Sequence, residues 1–346
     1  MVPLSAGELE DRTFSCLAGC GFCCTFQPEA SQRELARLRA RLAPRPLAVV
    51  VGDGRSYLGL QNKCGACTLL ARRECQAYDL RPAHCRYFPF HVHFGERAQV
   101  YVNETCRGVV RAPGSRLDAP FHDAVLSHAR PEDMDAHAEG ARAAYAEFKR
   151  NAQRAGAWDD IDAVLAEATR ELAPTRAWLA TAIRRADEEA TPEEMVEDAL
   201  APFSAADVSK RPFYLAPDLR WLTFDGPSRL VEMDEAGALL PLGAIAAPSG
   251  WADLDGEVGA ALRAYALELA RRDVFTGSVY ALVDDLDYET SVAEATWWRL
   301  AEVVVDIGVR ARILLALGVA PADVPAETVR FYDSTFLDAP TIGGFL

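Results

Sequence analysis

The residues best able to do chemistry are cysteines. The chain of 346 residues has nine, all between Cys16 and Cys106, and the following 240 residues have none. Cys16, Cys20, Cys23 and Cys24 form a first group, with Gly19 and Gly21 around the second of them. Thiolates bind soft metals, and short spacings with glycines let a loop wrap round a centre. Adjacent residues such as Cys23 and Cys24 do not readily point at one small ion. They suit a polynuclear cluster or two neighbouring sites. Cys67, Cys75, Cys85 and Cys106 follow at separations that let each approach the first group from another direction. Eight thiols can satisfy two four-cysteine sites, or one cluster plus a zinc site or redox pair. The sequence alone leaves the partition open. No basic and apolar leader opens the chain, so clustered thiols with an odd count favour metal or catalytic use over disulfides.

Cys64 makes a C-x2-C pair with Cys67 that, with Cys20 and Cys23, has the form of zinc-ribbon knuckles, but the gap of 40 residues between them is long for that fold. Arg81, Arg86 and Arg107 lie near Cys85 and Cys106, where guanidinium groups offset thiolate charge, though ordinary ion pairing accounts for them equally well. His84, His91 and His93 are nearby, and with so many thiols structural roles are favoured for them. Tyr78, Phe88 and Phe90 fit either a shield against water or plain core packing. Pro82 and Pro89 fix chain direction around Cys85.

These residues must be held by local elements. Ser31 and Glu34 form a capping box for a helix with Leu35, Leu38 and Leu42 on its apolar face, ended by Pro44. Arg33, Arg37 and Arg41 make a cationic, solvated stripe on it. Leu47 to Val51 and Ser56 to Leu60 flank Gly52, Asp53 and Gly54, a hairpin signal, and a second hairpin joins Phe90–Phe94 to Ala98–Val102 through Gly95 and Glu96. Pro113, Gly114, Ser115 and Pro120 mark a boundary. Beyond it, helical patterns cover 131–152, 157–170, 174–188, 192–202, 254–271 and 290–317, with a short β interruption at Arg220–Phe224 and Arg229–Met233. The reading is an α+β protein: a small cysteine-rich metal-binding domain, residues 1–112, followed by a mainly α-helical acidic domain, residues 113–346, with a short β hairpin.

Charge divides the same way. The net charge is -15, yet residues 1–112 hold 15 basic and 10 acidic side chains and the rest holds 21 and 41. Such an acidic chain is a poor general partner for nucleic acid. No apolar stretch reaches membrane-spanning length without charges; Thr296–Leu317, the most apolar late segment, reads as a core helix with a wet face. A soluble, cytoplasmic protein is expected. The second region has no phosphate loop, dinucleotide-binding glycine pattern, nucleophile elbow or HExxH motif. Its carboxylate groups, such as Asp159, Asp160 and Asp162, or Asp284, Asp285 and Asp287, read as solubilising surface.

Cys16-Leu-Ala-Gly-Cys20-Gly-Phe-Cys23-Cys24, Cys67-Thr-Leu-Leu, Cys75-Gln-Ala-Tyr78, Arg81-Pro82-Ala-His84-Cys85-Arg86-Tyr-Phe88-Pro89 and Cys106-Arg-Gly108 resemble the YkgJ-type CxxCxxCC family, described as zinc- or iron-chelating domains. The resemblance covers about the first 110 residues. It implies Cys16, Cys20, Cys23, Cys24, Cys67, Cys75, Cys85 and Cys106 as metal ligands; Cys64 has no counterpart. The flagellin lysine-N-methylases look like relatives, associated with an iron–sulfur cluster, which implies methyl transfer to a protein lysine and S-adenosylmethionine as a cofactor. The RP-x-x-C-R-x-F-P segment and the long acidic second region depart from them. The expected centre is an iron–sulfur cluster, [4Fe–4S] in form, serving redox chemistry or modification of a protein partner. The alternatives are a zinc-stabilised interaction module and a lysine-N-methylase-like enzyme.

Overall fold

The computed structural model describes residues 4–5, 9–52, 54–95, 98–116, 131–173, 177–187, 191–245, 256–336 and 342–344. Asp53, Glu96 and Pro120, placed by the sequence in turns or a boundary, lie outside them, as do the ends of two expected helices at 174–176 and 254–255.

The first third is strand-rich and carries the cysteines. β1 (Leu4–Ser5) and β2 (Glu10–Phe14) lead into the first cysteine loop. Helix α1 (Gln32–Leu42) starts at Ser31, whose hydroxyl accepts from the Glu34 N–H while the Glu34 carboxylate reaches back to the Ser31 N–H, the reciprocal capping expected. Leu35 and Leu38 are fully buried, and Arg33, Arg37 and Arg41 face solvent. The hairpin of β3 (Val49–Gly52) and β4 (Arg55–Leu58) follows, then the very short β5 (Leu70–Ala71) and β6 (Glu74–Cys75), the five-residue helix α2 (Ala83–Tyr87), and the hairpin β7 (Phe90–Phe94) with β8 (Ala98–Val102). β9 (Val109–Arg116) pairs antiparallel with β2. Pro113 to Ser115 therefore lie within a strand, where the sequence suggested a boundary.

The remainder is mainly helical: α3 (Pro131–Ala155), α4 (Ile161–Leu172), α5 (Trp178–Ala186) and α6 (Pro192–Leu200) precede a β segment, and α7 (Gly256–Leu269), α8 (Asp273–Asp285), α9 (Val292–Ala316) and α10 (Val324–Asp333) follow it. Helices α8 and α10 were not anticipated. Their buried residues, such as Phe275, Val279 and Val283 or Val324, Thr328 and Phe331, do recur at helical spacing, but both helices are rich in weak helix formers, with Gly277 inside one and Pro325 near the start of the other. The expected hairpin is real, as β11 (Trp221–Phe224) and β12 (Arg229–Met233), but it is the centre of a four-stranded antiparallel sheet completed by β10 (Tyr214–Leu215) and β13 (Leu239–Ala244). β10 is two residues long and β13 contains Pro241 and Gly243, so neither carries a strong strand pattern.

Acidic residues read as surface have local jobs. Asp160 caps α4, Asp159 accepts from the Ala293 N–H at 2.9 Å at the start of α9, and Asp284 accepts from the Tyr288 hydroxyl. α9 is buried nearly all round, from Val292 to Leu314, and forms the axis against which α5, α6, α8 and α10 pack. The main hydrophobic cluster is continuous across both regions, joining Tyr87, Val92 and Val109 to Phe148, Leu222 and Val304. Near the C-terminus, β14 (Ile342–Gly344) adds a parallel strand beside β7.

Candidate metal centre

All nine cysteines are free thiols. Backbone pairings between segments far apart in sequence bring several of them towards one another. On one flank, the β2–β9 ladder sets Phe14 opposite Val109, and the Ser15 N–H donates to the Gly108 carbonyl at 2.9 Å. Cys16 and Cys106 are thereby carried to the same end of the ladder. Gly108 explains the Cys-x-Gly pattern: a Cβ there would lie 2.1 Å from the Ser15 carbonyl oxygen, so only glycine permits this approach. Gly21, with φ of +59°, is constrained twice, because a Cβ would also meet Leu70, the Arg73 carbonyl and Trp221, each at 3.2 Å.

On the other flank, the Cys67 N–H donates to the Cys24 carbonyl at 2.7 Å, tying the third segment to the first. The β5–β6 hairpin sets Cys75 opposite Leu70 through a two-residue turn at Arg72 and Arg73, both with positive φ. That turn is unusual for residues with side chains. It is held because the Arg72 N–H, at 3.1 Å, and the Arg73 N–H both donate to the Glu235 carboxylate, from the loop between β12 and β13. Cys85 sits in α2, between Pro82 and Pro89, as expected.

The thiols lie within one another's electrostatic reach. Burial pushes the Cys67 thiol up to about 11 and Cys106 up to about 12, while Cys85 is raised well above the ordinary thiol value. Cys24 is also raised, first by its hydrogen bond with Cys23 and then by burial, and Cys23 is lowered by the same hydrogen bond. The charges bearing most on Cys106 are those of Cys23, Cys20 and Cys16; those bearing most on Cys85 are Cys23, Cys67 and Cys75. Cys23 belongs to both neighbourhoods. Cys64 stands apart: its sulfur donates to the Asn62 carbonyl at 3.6 Å and abuts Gly237.

Three guanidinium groups accompany the thiols. Arg81 lies 3.6 Å above the Tyr78 ring and lowers Cys23, Cys75 and Cys85 by its charge. Arg73, 3.6 Å over the Trp221 ring, does the same for Cys20, and the Trp221 N–H donates to the Cys20 carbonyl at 3.0 Å. Arg330, from α10, donates to the Cys106 carbonyl at 3.2 Å and to the Glu104 carbonyl at 3.0 Å. Sequence reasoning found Arg81 but missed Arg73, Trp221 and Arg330; the last two are more than a hundred residues from any cysteine. Arg107 and Arg86 are engaged elsewhere, Arg107 in a two-pronged pair with Glu327 and Arg86 with Glu34 at 3.7 Å.

Apolar groups enclose the thiols other than the exposed Cys16. Phe22, Phe26, Leu70 and Trp221 pack with Cys20, Cys23 and Cys24, and Leu35, Leu58 and Leu69 pack with Cys24, Cys67 and Cys75. Phe88 shares in this sheath against Phe26; Phe90 packs edge-on against Phe14, while Tyr78 is half exposed under Arg81. His84 lies 5.3 Å from Phe26 and burial lowers it to about 4; His91 stacks on Tyr101 at 5.0 Å. A cleft of about 1080 Å³ opens beside this sheath, walled by Thr25 and Phe26 immediately after Cys24, by Phe213, and across from them by Phe275 and Trp298. Arg299 and Arg310 in its lining are paired with Glu302 and Asp306, each at 2.8 Å, and Glu194, Glu197 and Asp198 stand exposed at its rim.

Among the described residues, no three His, Cys, Asp or Glu side chains stand close enough together to hold a metal ion as they are placed. The donor chemistry nonetheless fits a thiophilic metal: eight free thiols linked through overlapping electrostatic neighbourhoods, guanidinium groups to balance their negative charge once deprotonated, and apolar surroundings for most of them. No helix among the described residues is long and apolar enough to cross a membrane. No curated protein and no solved structure matches the chain. Residues 15–107, the segment that holds all eight of these thiols, match the family model CxxCxxCC, "Putative zinc- or iron-chelating domain", and the chain carries a domain of that metal-chelating family.

Proposed function

We propose that the chain is an iron–sulfur protein whose centre is held by Cys16, Cys20, Cys23, Cys24, Cys67, Cys75, Cys85 and Cys106, and that it acts on a substrate or protein partner admitted through the cleft beside Cys24. The observation that supports this reading is that eight free thiols from five separate segments are linked through overlapping electrostatic neighbourhoods, most of them among apolar residues and near arginines. A single zinc ion uses four ligands, so a lone structural zinc would leave four of these thiols without a ligand role. Iron–sulfur clusters supply one-electron chemistry, tuned by burial and by hydrogen bonds near sulfur. This chain's contribution is the apolar sheath of Phe22, Phe26 and Trp221, which excludes water, and the charges of Arg73, Arg81 and Arg330. Because burial raises the Cys67, Cys85 and Cys106 thiols, metal must displace their protons and draw the sulfurs inward, so binding and local ordering are coupled. Reduced, unpaired cysteines suit a reducing compartment, the cytoplasm.

The test is anaerobic purification followed by metal and acid-labile sulfide analysis, visible absorption and electron paramagnetic resonance. A brown protein that bleaches with dithionite and holds iron and sulfide in equal amounts is expected. Colourless protein with stoichiometric zinc would replace this reading with the zinc-stabilised interaction module.

Methyl transfer is a second reading with the cleft in its favour. Its aromatic walls and acidic rim suit a sulfonium or ammonium cation, which aromatic faces and carboxylates both attract. Calorimetric titration with S-adenosylmethionine tests it, and no heat of binding would remove it.

A further inference from the structure

We propose that the eight thiols form two separate four-sulfur metal sites, Cys16, Cys20, Cys23 and Cys106 in one and Cys24, Cys67, Cys75 and Cys85 in the other, which meet at the Cys23–Cys24 peptide. This rests on the metal-binding reading above and divides what the sequence left undivided.

The backbone makes the division first. Cys16 and Cys106 are brought together by the β2–β9 ladder and the Ser15–Gly108 hydrogen bond, a device that involves none of the other thiols. Cys67 and Cys75 are brought together by the β5–β6 hairpin, and Cys67 is tied to Cys24 by a main-chain hydrogen bond. The two devices engage opposite ends of the first loop, Ser15 at its start and Cys24 at its end, and Cys23, hydrogen-bonded to Cys24, stands where the two groups would meet.

Charge does not divide the thiols by itself: Cys23 bears most on both Cys106 and Cys85, and Arg81 acts on Cys23 as well as on Cys75 and Cys85, as befits the residue where the two groups meet, while Arg73 acts on Cys20. Enclosure is divided, with Cys20 in the cluster around Phe22 and Trp221, Cys67 and Cys75 in the cluster around Leu35 and Leu58, and Cys24 in both. Stoichiometry agrees, because a [4Fe–4S] cluster or a zinc ion takes four thiolates, not eight.

The test uses the full chain, purified anaerobically or reconstituted with ferrous iron and sulfide, in wild-type form and as Cys16→Ser, Cys106→Ser, Cys75→Ser, Cys85→Ser and Cys64→Ser. Wild type should hold two centres, about eight iron and about eight sulfide per chain, or one cluster with one zinc ion. Each of the first four variants should lose one centre and keep the other. Cys16→Ser with Cys106→Ser should lose no more than either alone, whereas Cys106→Ser with Cys85→Ser should lose both. Cys64→Ser should keep both. Retention of one centre in a variant itself reports that the chain is folded, and wild-type stoichiometry needs no variant at all. Wild-type protein with a single centre, lost equally on substitution from either group, overturns the partition while leaving the metal reading intact. Wild-type protein that binds neither iron nor zinc overturns the metal reading instead.

Discussion

Replacing Gly108 with alanine should damage the first thiol group more than any other single methyl group added to the chain. The added Cβ would stand 2.1 Å from the Ser15 carbonyl oxygen, 3.1 Å from its carbon and 3.3 Å from the Phe14 ring. The nearest obstacle is backbone, which cannot rotate aside, so β2 and β9 must part by about an ångström to reach ordinary contact. Parting them breaks the Ser15–Gly108 hydrogen bond, which contributes about 1 kcal/mol, and the residual crowding costs about 1–3 kcal/mol. The total, about 2–4 kcal/mol, lowers the folded-to-unfolded ratio by roughly 30- to 1,000-fold. Urea unfolding followed by far-ultraviolet circular dichroism measures it, and alkylation at Cys106 mapped by mass spectrometry should quicken in parallel. Gly140→Ala is the matched control: with nothing within 4 Å of its Cβ and a helical backbone, it should stabilise by about 0.5–1 kcal/mol. If the Gly108 variant unfolds within about 0.5 kcal/mol of wild type and Cys106 stays protected, the close approach is not what joins Cys16 to Cys106.

Glu235→Ala should release the Arg72–Arg73 turn, costing about 2–3 kcal/mol and exposing Cys75 to alkylation, and Arg72→Asn with Arg73→Gly should restore much of the loss by removing the strain; no rescue would mean that strain is not the cause. Asp333→Ala leaves the Tyr265 hydroxyl and the Glu104 N–H without their acceptor and Arg272 without its carboxylate partner at 3.5 Å, so thermal unfolding should report a loss of about 3–5 kcal/mol, and a loss below about 1 would count against this linkage. Burial depresses His93 to about 4 from the usual 6.5, so the folded state binds fewer protons than the unfolded state between those values. Its share of stability, up to about 3 kcal/mol, is present above pH 6.5 and is lost as pH falls through 4. His93→Gln should flatten that part of the stability–pH curve, and an unchanged slope would show that His93 is not its source.

Much of the arrangement was legible before any coordinates. The Ser31–Glu34 box and Pro44 fix α1 because capping and helix termination are local chemistry, and the second hairpin has the strand limits that its alternation implied. The eight thiols were identifiable because sulfur is rare and its spacing carries meaning. What could not be read was long-range. Trp221 and Arg330 sit near Cys20 and Cys106 only because a sheet strand and the penultimate helix fold back, and nothing in their own neighbourhoods marks them. Arg107, beside a cysteine in sequence, is turned away by a carboxylate 220 positions later. α8 and α10 were missed because they are short and rich in β-branched, aromatic and other weak helix formers, which hide a period that their buried residues in fact keep.

The same long-range contacts bear on what the second region is for. The loop between β12 and β13 does three things at the cysteine segment: Glu235 takes the two N–H groups of the Arg72–Arg73 turn, its carbonyl accepts from the Ala66 N–H at 2.9 Å, and Gly237 meets Gly65 where a Cβ on either would lie under 3 Å from backbone. Two consecutive left-handed residues with side chains cost on the order of 1 kcal/mol each, and two hydrogen bonds to a carboxylate more than offset that. Cys75 is placed by that turn. On the other flank Arg330 donates to the carbonyls of Glu104, Cys106 and Val109, fixing the loop that presents Cys106. Each thiol group is thus positioned by residues that lie beyond the cysteine-bearing segment. Tyr332 of α10 also borders the cleft, so the helix whose Arg330 holds the Cys106 loop is also part of the cleft wall.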